Sequence, residues 1–502
     1  MDIVGNLLLG LGVALSPGNL AFCFVGALLG TMIGVLPGLG PVATIAVLLP
    51  ITFSLPPEGG LIMLAGIFYG AQYGGSTTAI LLNLPGEVSS VATAIDGYQM
   101  ARQGRGGVAL ATAALGSFFA GCVATLLVAL CGPLLIGVAM NLGPADYFSI
   151  MVAGLIAAIA IASGSVVKAI AMILVGLLLG SVGVDINSGA QRMTFGFREL
   201  SEGIDFAAMT MGLFGIAEIL TNLRNPEHRE VIATKINSLV PSRSDIRRAA
   251  PATVRGTIVG SIAGLVPGAG ASLGAFASYM VEKRVSRRPE EFGHGAIEGV
   301  AGPESANNAS AQTSFIPLLS LGIPSNAVMA VMVGAMIVHG IAPGPLLMEQ
   351  HPNLFWGLIV SMWIGNLMLV IINLPLIGIW VKLLTVPYRL MFPAILIFCA
   401  VGAYGMNMSY VDVLVMAAFG LIGFGLRKVG FELAPLILGF VLGPMMEENL
   451  RRAMLISRGD PTVLLTRPIS ATFLLIAAAL LLMLILPAIR KGRETIFAED
   501  ET

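Results

Sequence analysis

Gly30-Thr-Met-Ile-Gly34-Val-Leu-Pro37-Gly38-Leu-Gly40 recurs in the second half of the chain as Gly260-Ser-Ile-Ala-Gly264-Leu-Val-Pro267-Gly268-Ala-Gly270, with Gly, Gly, Pro, Gly and Gly in register. Downstream of each copy lies a second station of similar chemistry: a polar stretch, an apolar stretch, then a proline. In the first half it reads Gln72-Tyr-Gly-Gly-Ser-Thr-Thr-Ala-Ile-Leu-Leu-Asn83-Leu-Pro85-Gly86, and in the second it runs from Asn307-Asn-Ala-Ser310 to Gly322-Ile-Pro324-Ser325. With 62 Gly and 28 Pro in the chain, one such match can arise by chance, but two stations in the same order indicate an internal duplication.

Composition says where the duplicated units sit. Of 502 residues, 56% are hydrophobic and 11% charged, whereas a soluble domain carries about 25% charged residues. The runs Val108 to Leu130, Tyr147 to Ala162, Leu354 to Leu374 and Phe473 to Leu486 approach or exceed the ~20 residues that cross a hydrocarbon core as helix. Few runs alternate polar with apolar as a transmembrane barrel requires, and helices are the other structure that satisfies its own backbone in lipid. The apolar N-terminus, Met1 to Ser16, lacks a basic flank and a small-residue cleavage motif, so it reads as a retained helix.

Cytoplasmic loops collect Lys and Arg. Arg224, Arg229, Lys235, Arg243, Arg247, Arg248 and Arg255 precede the second Pro-Gly element, and Lys283, Arg284, Arg287 and Arg288 follow it. Both flanks read as cytoplasmic, so Gly256 to Val281 is expected to enter the membrane and return, as a re-entrant hairpin turning at Pro267 to Gly270. The first element has the opposite setting, because no Lys or Arg precedes Arg102. It is followed by a loop holding Arg102 and Arg105, whereas no Lys or Arg lies between Arg288 and Lys382. The expected fold is therefore an all-α polytopic membrane protein with inverted-topology repeats, re-entrant hairpins and broken helices.

The expected first half covers residues 1–222, with a hairpin at about 20–55 and a broken helix at about 60–86. A cytoplasmic linker follows at 223–252. The second half covers 253–430, with a hairpin at about 256–281 and a broken helix at about 305–340; C-terminal helices and a basic and acidic tail occupy 431–502. The short apolar run Leu433 to Met446, flanked by Arg427, Lys428, Arg451 and Arg452, reads as a further incomplete crossing.

A carboxylate crossing the membrane needs donors to replace its water and positive partial charge to meet its own, and helix N-termini supply both. Gly and Pro interruptions create such termini inside apolar sequence. The candidate substrate-binding residues are therefore Tyr73, Gly74, Gly75, Ser76, Thr77, Asn83, Pro85 and Gly86 in one half, and Asn307, Asn308, Ser310, Thr313, Pro324 and Ser325 in the other. The plain alternative for any one of them is helix packing and interhelical hydrogen bonding; clustering beside both prolines favours function. A coupling cation needs carbonyl oxygens, and the candidate sodium sites are the turns at Pro37, Gly38 and Gly40 and at Pro267, Gly268 and Gly270. A proton would instead call for a carboxylate, with Glu87, Asp96, Glu298 or Glu304 as candidates, each expected to lie near a loop and be solvated.

Other chemistries lack support. The formal net charge of -1 gives no basic surface for nucleic acid. Cys23, Cys122, Cys131 and Cys399 lie in apolar runs without a C-x-x-C pair, and His228, His294, His339 and His351 are scattered. Gly264 to Ser272 lacks the Lys of a P-loop, and Gly270-Ala-Ser272-Leu-Gly274 spells G-x-S-x-G after a Pro-Gly turn where a nucleophile elbow needs a strand. No enzyme activity and no cofactor beyond a coupling ion is expected.

Tyr69-Gly-Ala-Gln-Tyr-Gly-Gly-Ser-Thr-Thr-Ala-Ile-Leu-Leu-Asn-Leu-Pro-Gly86, Asp96-Gly-Tyr-Gln-Met-Ala, Gly302-Pro-Glu-Ser-Ala-Asn-Asn-Ala309 and Leu321-Gly-Ile-Pro324, together with Gly34 to Pro41, carry a resemblance. Over essentially its whole length the chain resembles the large membrane subunit of the tripartite tricarboxylate transporters. The resemblance implies a multi-pass protein of the bacterial inner membrane that works with a small membrane subunit and a periplasmic solute-binding protein. It further implies import of citrate or a related small carboxylate, driven by an ion gradient. The family's signature regions fall on Tyr73 to Gly86 and Gly302 to Pro324; where it usually has Gly after the second proline, this chain has Ser325. A passive channel or a membrane scaffold is the rival reading.

Overall fold

The computed structural model describes residues 3–36, 40–161, 165–185, 187–224, 239–266, 270–383 and 388–485. Among them the one sheet is a two-residue ladder, β1 (Gly183–Val184) with β2 (Gln191–Arg192), and almost everything else is helical. The protein is an all-α polytopic membrane protein. Four described helical stretches, Pro17–Gly34, Val88–Ala139, Pro352–Asn373 and Tyr410–Lys428, are long and apolar enough to cross a membrane alone.

The first unit begins with α1 (Ile3–Ala14) and a helical hairpin, α2 (Pro17–Gly34) and α3 (Pro41–Thr52). Helix α4 (Pro57–Leu82) runs unbroken to Leu82, and the interruption expected within 60–86 falls at its end, before α5 (Val88–Met100). Arg102 and Arg105 lie not in an open loop but in a π-helical turn, Ala101–Arg105, which Gly104 kinks at φ 78° before α6 (Gly106–Ala139).

Helices α7 (Pro144–Ile161), α8 (Val166–Gly180), α9 (Phe206–Thr210) and α10 (Ala217–Arg224) link the units. The second unit has the same order of parts: hairpin α11 (Arg243–Leu265) and α12 (Gly270–Val285), then α13 (Glu298–Thr313), α14 (Phe315–Leu321), a break, and α15 (Ala327–Val338). The remainder comprises α16 (Leu347–Gln350), α17 (Pro352–Asn373), α18 (Ile377–Leu383), α19 (Tyr388–Asn407), α20 (Tyr410–Lys428), α21 (Ala434–Ile456), α22 (Val463–Thr466) and α23 (Pro468–Ile485). Leu433 to Met446 is not a short element, because α21 continues through Pro444 to Ile456.

Helices in lipid associate by close packing, which small residues permit. A Cβ at Gly26, Gly30 or Gly34 of α2 would run into the carbonyl oxygens of Met63, Ile67 and Ala71 of α4. A Cβ at Gly256, Gly260 or Gly264 of α11 would run into those of Gly302, Ala306 and Ser310 of α13. Four-residue spacing places each trio on one helix face, so each hairpin is pressed backbone to backbone against its own unit's polar helix. The glycines of the repeated motif thus do the same packing work twice. The main apolar core fills the space around this arrangement, with Ile45, Leu64, Phe315, Phe355 and Trp356 fully buried.

Candidate functional site

Each unit breaks its polar helix in the same way. In the first, Asn83 closes α4 in the left-handed region (φ 56°, ψ 29°), Leu84 and Pro85 follow outside the helix, and Glu87 caps α5. In the second, Gly322 closes α14 at φ 73°, Ile323 and Pro324 follow, and Asn326 caps α15, its Oδ1 accepting from the Met329 N–H at 2.9 Å. The prolines lack an N–H and cannot continue the helix, and the left-handed residue turns the chain so that a fresh helix N-terminus begins.

The Asn83 side chain is exposed, so its backbone conformation is what the break requires of it. Asn and Gly tolerate that conformation, whereas a β-branched side chain there costs roughly 1–2 kcal/mol. Asn83→Gly is therefore expected to leave thermal stability in detergent close to that of the parent, and Asn83→Val to lower it; equal melting of the two variants would show that the turn does not depend on this residue.

Hairpin ends lie against the breaks. A Cβ on Gly40 would sit 3.3 Å from the Gly86 carbonyl oxygen, one on Gly86 would reach the Gly75 Cα at 2.6 Å, and one on Gly270 would approach the Asn326 Cβ at 3.7 Å. Pro37, Gly38, Pro267 and Gly268 lie outside the described residues, so of the candidate sodium positions Gly40 and Gly270 are placed, each beside its own unit's break.

Across the units, polar side chains meet inside the protein. Gln72 Nε2 donates to Asn307 Oδ1 at 3.2 Å, and Asn307 Nδ2 donates to Glu87 Oε1 at 3.1 Å. Asn308 Nδ2 donates to Ser117 Oγ of α6 at 2.7 Å, and Thr93 Oγ1 of α5 donates to Glu304 Oε1 at 2.6 Å. Tyr73, Ser76, Thr77, Glu304 and Asn373 line a cavity of ≈ 20 Å³, room for one water and too small for a carboxylate solute.

Tyr73, Ser76, Thr77, Asn307 and Asn308 are thus brought together. The hydroxyls of Ser76 and Thr77 donate back to the carbonyls of Gln72 and Tyr73, and Tyr73 OH donates to the Ala114 carbonyl at 3.2 Å. Gly74 is taken up by packing on α2, and Gly75 by packing on Gly86. Ser310 and Thr313 lie under the end of α11, against Gly264. Pro324 and Ser325 are buried at the second break, Pro85 is half-buried and Gly86 buried at the first. The hydroxyls of Ser310 and Ser325 have no hydrogen-bond partner among the described residues.

The acidic residues correct the expectation of solvation. Asp96 is 0% and Glu304 1% exposed, and only Glu87 and Glu298 keep partial access. Glu304 sits on α13, which packs against α4, α5, α6, α11 and α12 and so has protein, not water, around it. A helix as polar as Glu298–Thr313 within so apolar a chain cannot face lipid; that contrast was the available signal. Gln72, Thr93 and Ser117 were missed because nothing local marks a side chain whose partner is far away in sequence.

Residues 20–438 match the tripartite tricarboxylate transporter TctA family. The chain belongs to that family. It is accordingly the large subunit of a tripartite tricarboxylate transporter, a multi-pass membrane protein of transport, acting in a system with other subunits and a substrate. It is 60% identical over 501 residues to an uncharacterized 52.8 kDa protein in the TAR-I ttuC' 3' region of Agrobacterium vitis, each chain being covered completely. It is also 60% identical over 235 residues to an uncharacterized protein in the TAR-II ttuC' 3' region of Agrobacterium vitis, covering 47% of this chain and 97% of that one. No solved structure matches the chain.

Proposed function

We propose that this subunit carries the solute through the bacterial inner membrane in a secondary active importer of small, citrate-like carboxylates. It receives the solute from a periplasmic binding protein, works beside a small membrane subunit, and is driven by an ion gradient. The observation that carries this reading is the pair of like-built breaks, one in each unit, each opening a helix N-terminus beside buried polar side chains. Such termini present N–H groups and positive partial charge to an anion. The hydroxyl of Ser325, next to the second break and without a partner among the described residues, is a further donor available to it. The charge distribution, basic on both flanks of the α11–α12 hairpin and empty of Lys and Arg before Arg102, supports opposite membrane orientations for the two units. Backbone oxygens near Gly40 and Gly270, beside the breaks, suit a sodium ion as the alternative to a proton in coupling.

The ≈ 20 Å³ cavity requires that the site open before a solute can enter. Opening and closing around a bound solute gives saturable flux, whereas a passive channel passes solute in proportion to its concentration. The chain reconstituted with its two partner proteins should therefore show saturable citrate uptake that needs both a gradient and the binding protein; linear uptake without either would assign it to the channels. Asn308→Ala, which removes a donor from Ser117 and the Glu304 carbonyl, should reduce that uptake at least about tenfold, equivalent to about 1.4 kcal/mol, at undiminished membrane level; uptake equal to the parent's would take Asn308 out of the site.

A further inference from the structure

Four carboxylates are buried to 1% exposure or less among the described residues: Asp96, Asp146, Glu282 and Glu304. A buried charge needs compensation or it neutralises. Asp146 is met by Arg467 at 2.7 Å and by the N–H groups of Gly143 and Ser470. Glu282 is gripped at both oxygens by Arg255, at 2.8 and 2.5 Å. Asp96 accepts three backbone N–H groups and a tyrosine hydroxyl. Glu304 differs from all three: its contacts are the hydroxyls of Thr93 at 2.6 Å, Ser117 at 3.4 Å and Ser76, with no ion pair among the described residues. A hydroxyl donates to a carboxylate or accepts from a carboxylic acid equally well, so this surrounding suits both states.

A second observation leaves room for water there. Glu304 lines the ≈ 20 Å³ cavity with Asn373, whose side chain is 6% exposed and whose Oδ1 has no partner among the described residues. One water in that space would satisfy Asn373 and reach the Glu304 wall. A hard metal cation wants several oxygens around it; a proton needs one oxygen and one water.

Resting on the carrier reading above, we infer that Glu304 is the proton-coupling group of this transporter. A proton relayed by the cavity water adds to a Glu304 oxygen, turning the carboxylate into a neutral acid; release on the other side restores the carboxylate and delivers that proton inward. Neutralisation also removes a negative charge from beside the path of an anionic solute. The titratable groups around it are accounted for. Tyr73 of α4 lines the same cavity with its hydroxyl donated to Ala114. Glu87, at the start of α5, is held by Asn307, and Asp96, one turn beyond Thr93, is fully bonded. On the opposite face of α13, Arg255 of α11 and Glu282 of α12 close on each other beside Gly302. Cys122 follows Ser117 along α6, and α17 and α18 present Asn373 and Ile377 to the cavity.

The test uses the complete transporter, this chain with its small membrane subunit and binding protein, in sodium-free proteoliposomes containing a pH-reporting dye, with radiolabelled citrate as probe. The parent should accumulate citrate when the outside is made acid and carry protons inward with it. Glu304→Gln should lose both the proton flux and the acid-driven accumulation, and whatever citrate exchange it retains should no longer vary with pH; Glu304→Asp should keep the proton flux. Proton flux in Glu304→Gln equal to the parent's overturns the assignment. So does loss of exchange in both variants at normal membrane level, which would make the position structural. A parent that takes up citrate with sodium but never with protons overturns the assignment and leaves the carrier reading standing, whereas a parent that transports no carboxylate overturns both.

Discussion

Gly260→Ala and Gly30→Ala are each expected to lower the melting temperature of the detergent-extracted protein by several degrees, and the corresponding leucine variants to leave little folded protein at all. A Cβ at Gly260 runs into the backbone of Ala306, and one at Gly30 into the backbone of Ile67. Overpacking against side chains costs about 1–3 kcal/mol because they can shift rotamer; here the obstacle is main chain in a helix that cannot yield locally, so the hairpin must lift off as a body. That movement separates α11 from α13, or α2 from α4, along the whole glycine stripe, and in lipid no hydrophobic force draws the helices back together. Glycines elsewhere supply the control. A Cβ on Gly12 of α1 or Gly137 of α6 would have nothing within 4 Å, and Ala at either should hold or raise stability, since Ala exceeds Gly in helix propensity by about 1 kcal/mol. Melting temperatures for Gly260→Ala and Gly12→Ala that agree within error would refute the backbone contact.

The same residues show how far the sequence could be read. Gly30, Gly34, Gly260 and Gly264 announced the repeat because their spacing is a property of the letters themselves, and Pro85 and Pro324 marked the breaks because each follows by two residues an Asn or Gly that tolerates a left-handed turn, whereas Pro133 and Pro444, alone, leave their helices running. The helical membrane fold followed from apolar runs that need no knowledge of partners. What could not be read is what depends on who stands opposite. Gln72 and Asn307 pair across 235 positions, and Thr93 and Glu304 across 211; neither pairing leaves a trace near either residue. Its place near a loop makes Glu304 read as solvated, yet α13 is wrapped by helices that the local pattern does not place. Asn83 was chosen for its amide, and what the fold uses is its tolerance of a left-handed backbone.

Asp96 provides the other large effect. Its Oδ1 accepts the N–H groups of Gly293, Gly295 and Ala296 at 2.9, 2.8 and 2.9 Å, and its Oδ2 accepts the Tyr279 hydroxyl at 3.0 Å. One side chain of the first unit thereby fixes the loop between α12 and α13 of the second, and a Cβ on Gly299 would strike the same carboxylate. Gln103 adds a tie from the π-helical turn, donating to the His294 carbonyl at 2.7 Å. Further along that loop Arg248 and Arg288 pair with Glu291 and hold its carboxyl below the ordinary value. Asp96→Ala strands three N–H donors and the tyrosine hydroxyl, and at about 1–3 kcal/mol for each unsatisfied buried group, with some recovered by water, a loss on the order of 3–5 kcal/mol is expected. Asp96→Asn keeps an acceptor for the N–H groups and offers its amide to the tyrosine oxygen, so it should fall between the parent and the alanine variant. Thermal unfolding in detergent gives that order directly, and tryptic cleavage after Arg287 should speed up in the same sequence as the loop comes free. If Asp96→Ala melts and is cleaved like the parent, the carboxylate is not what holds the two units together at this loop.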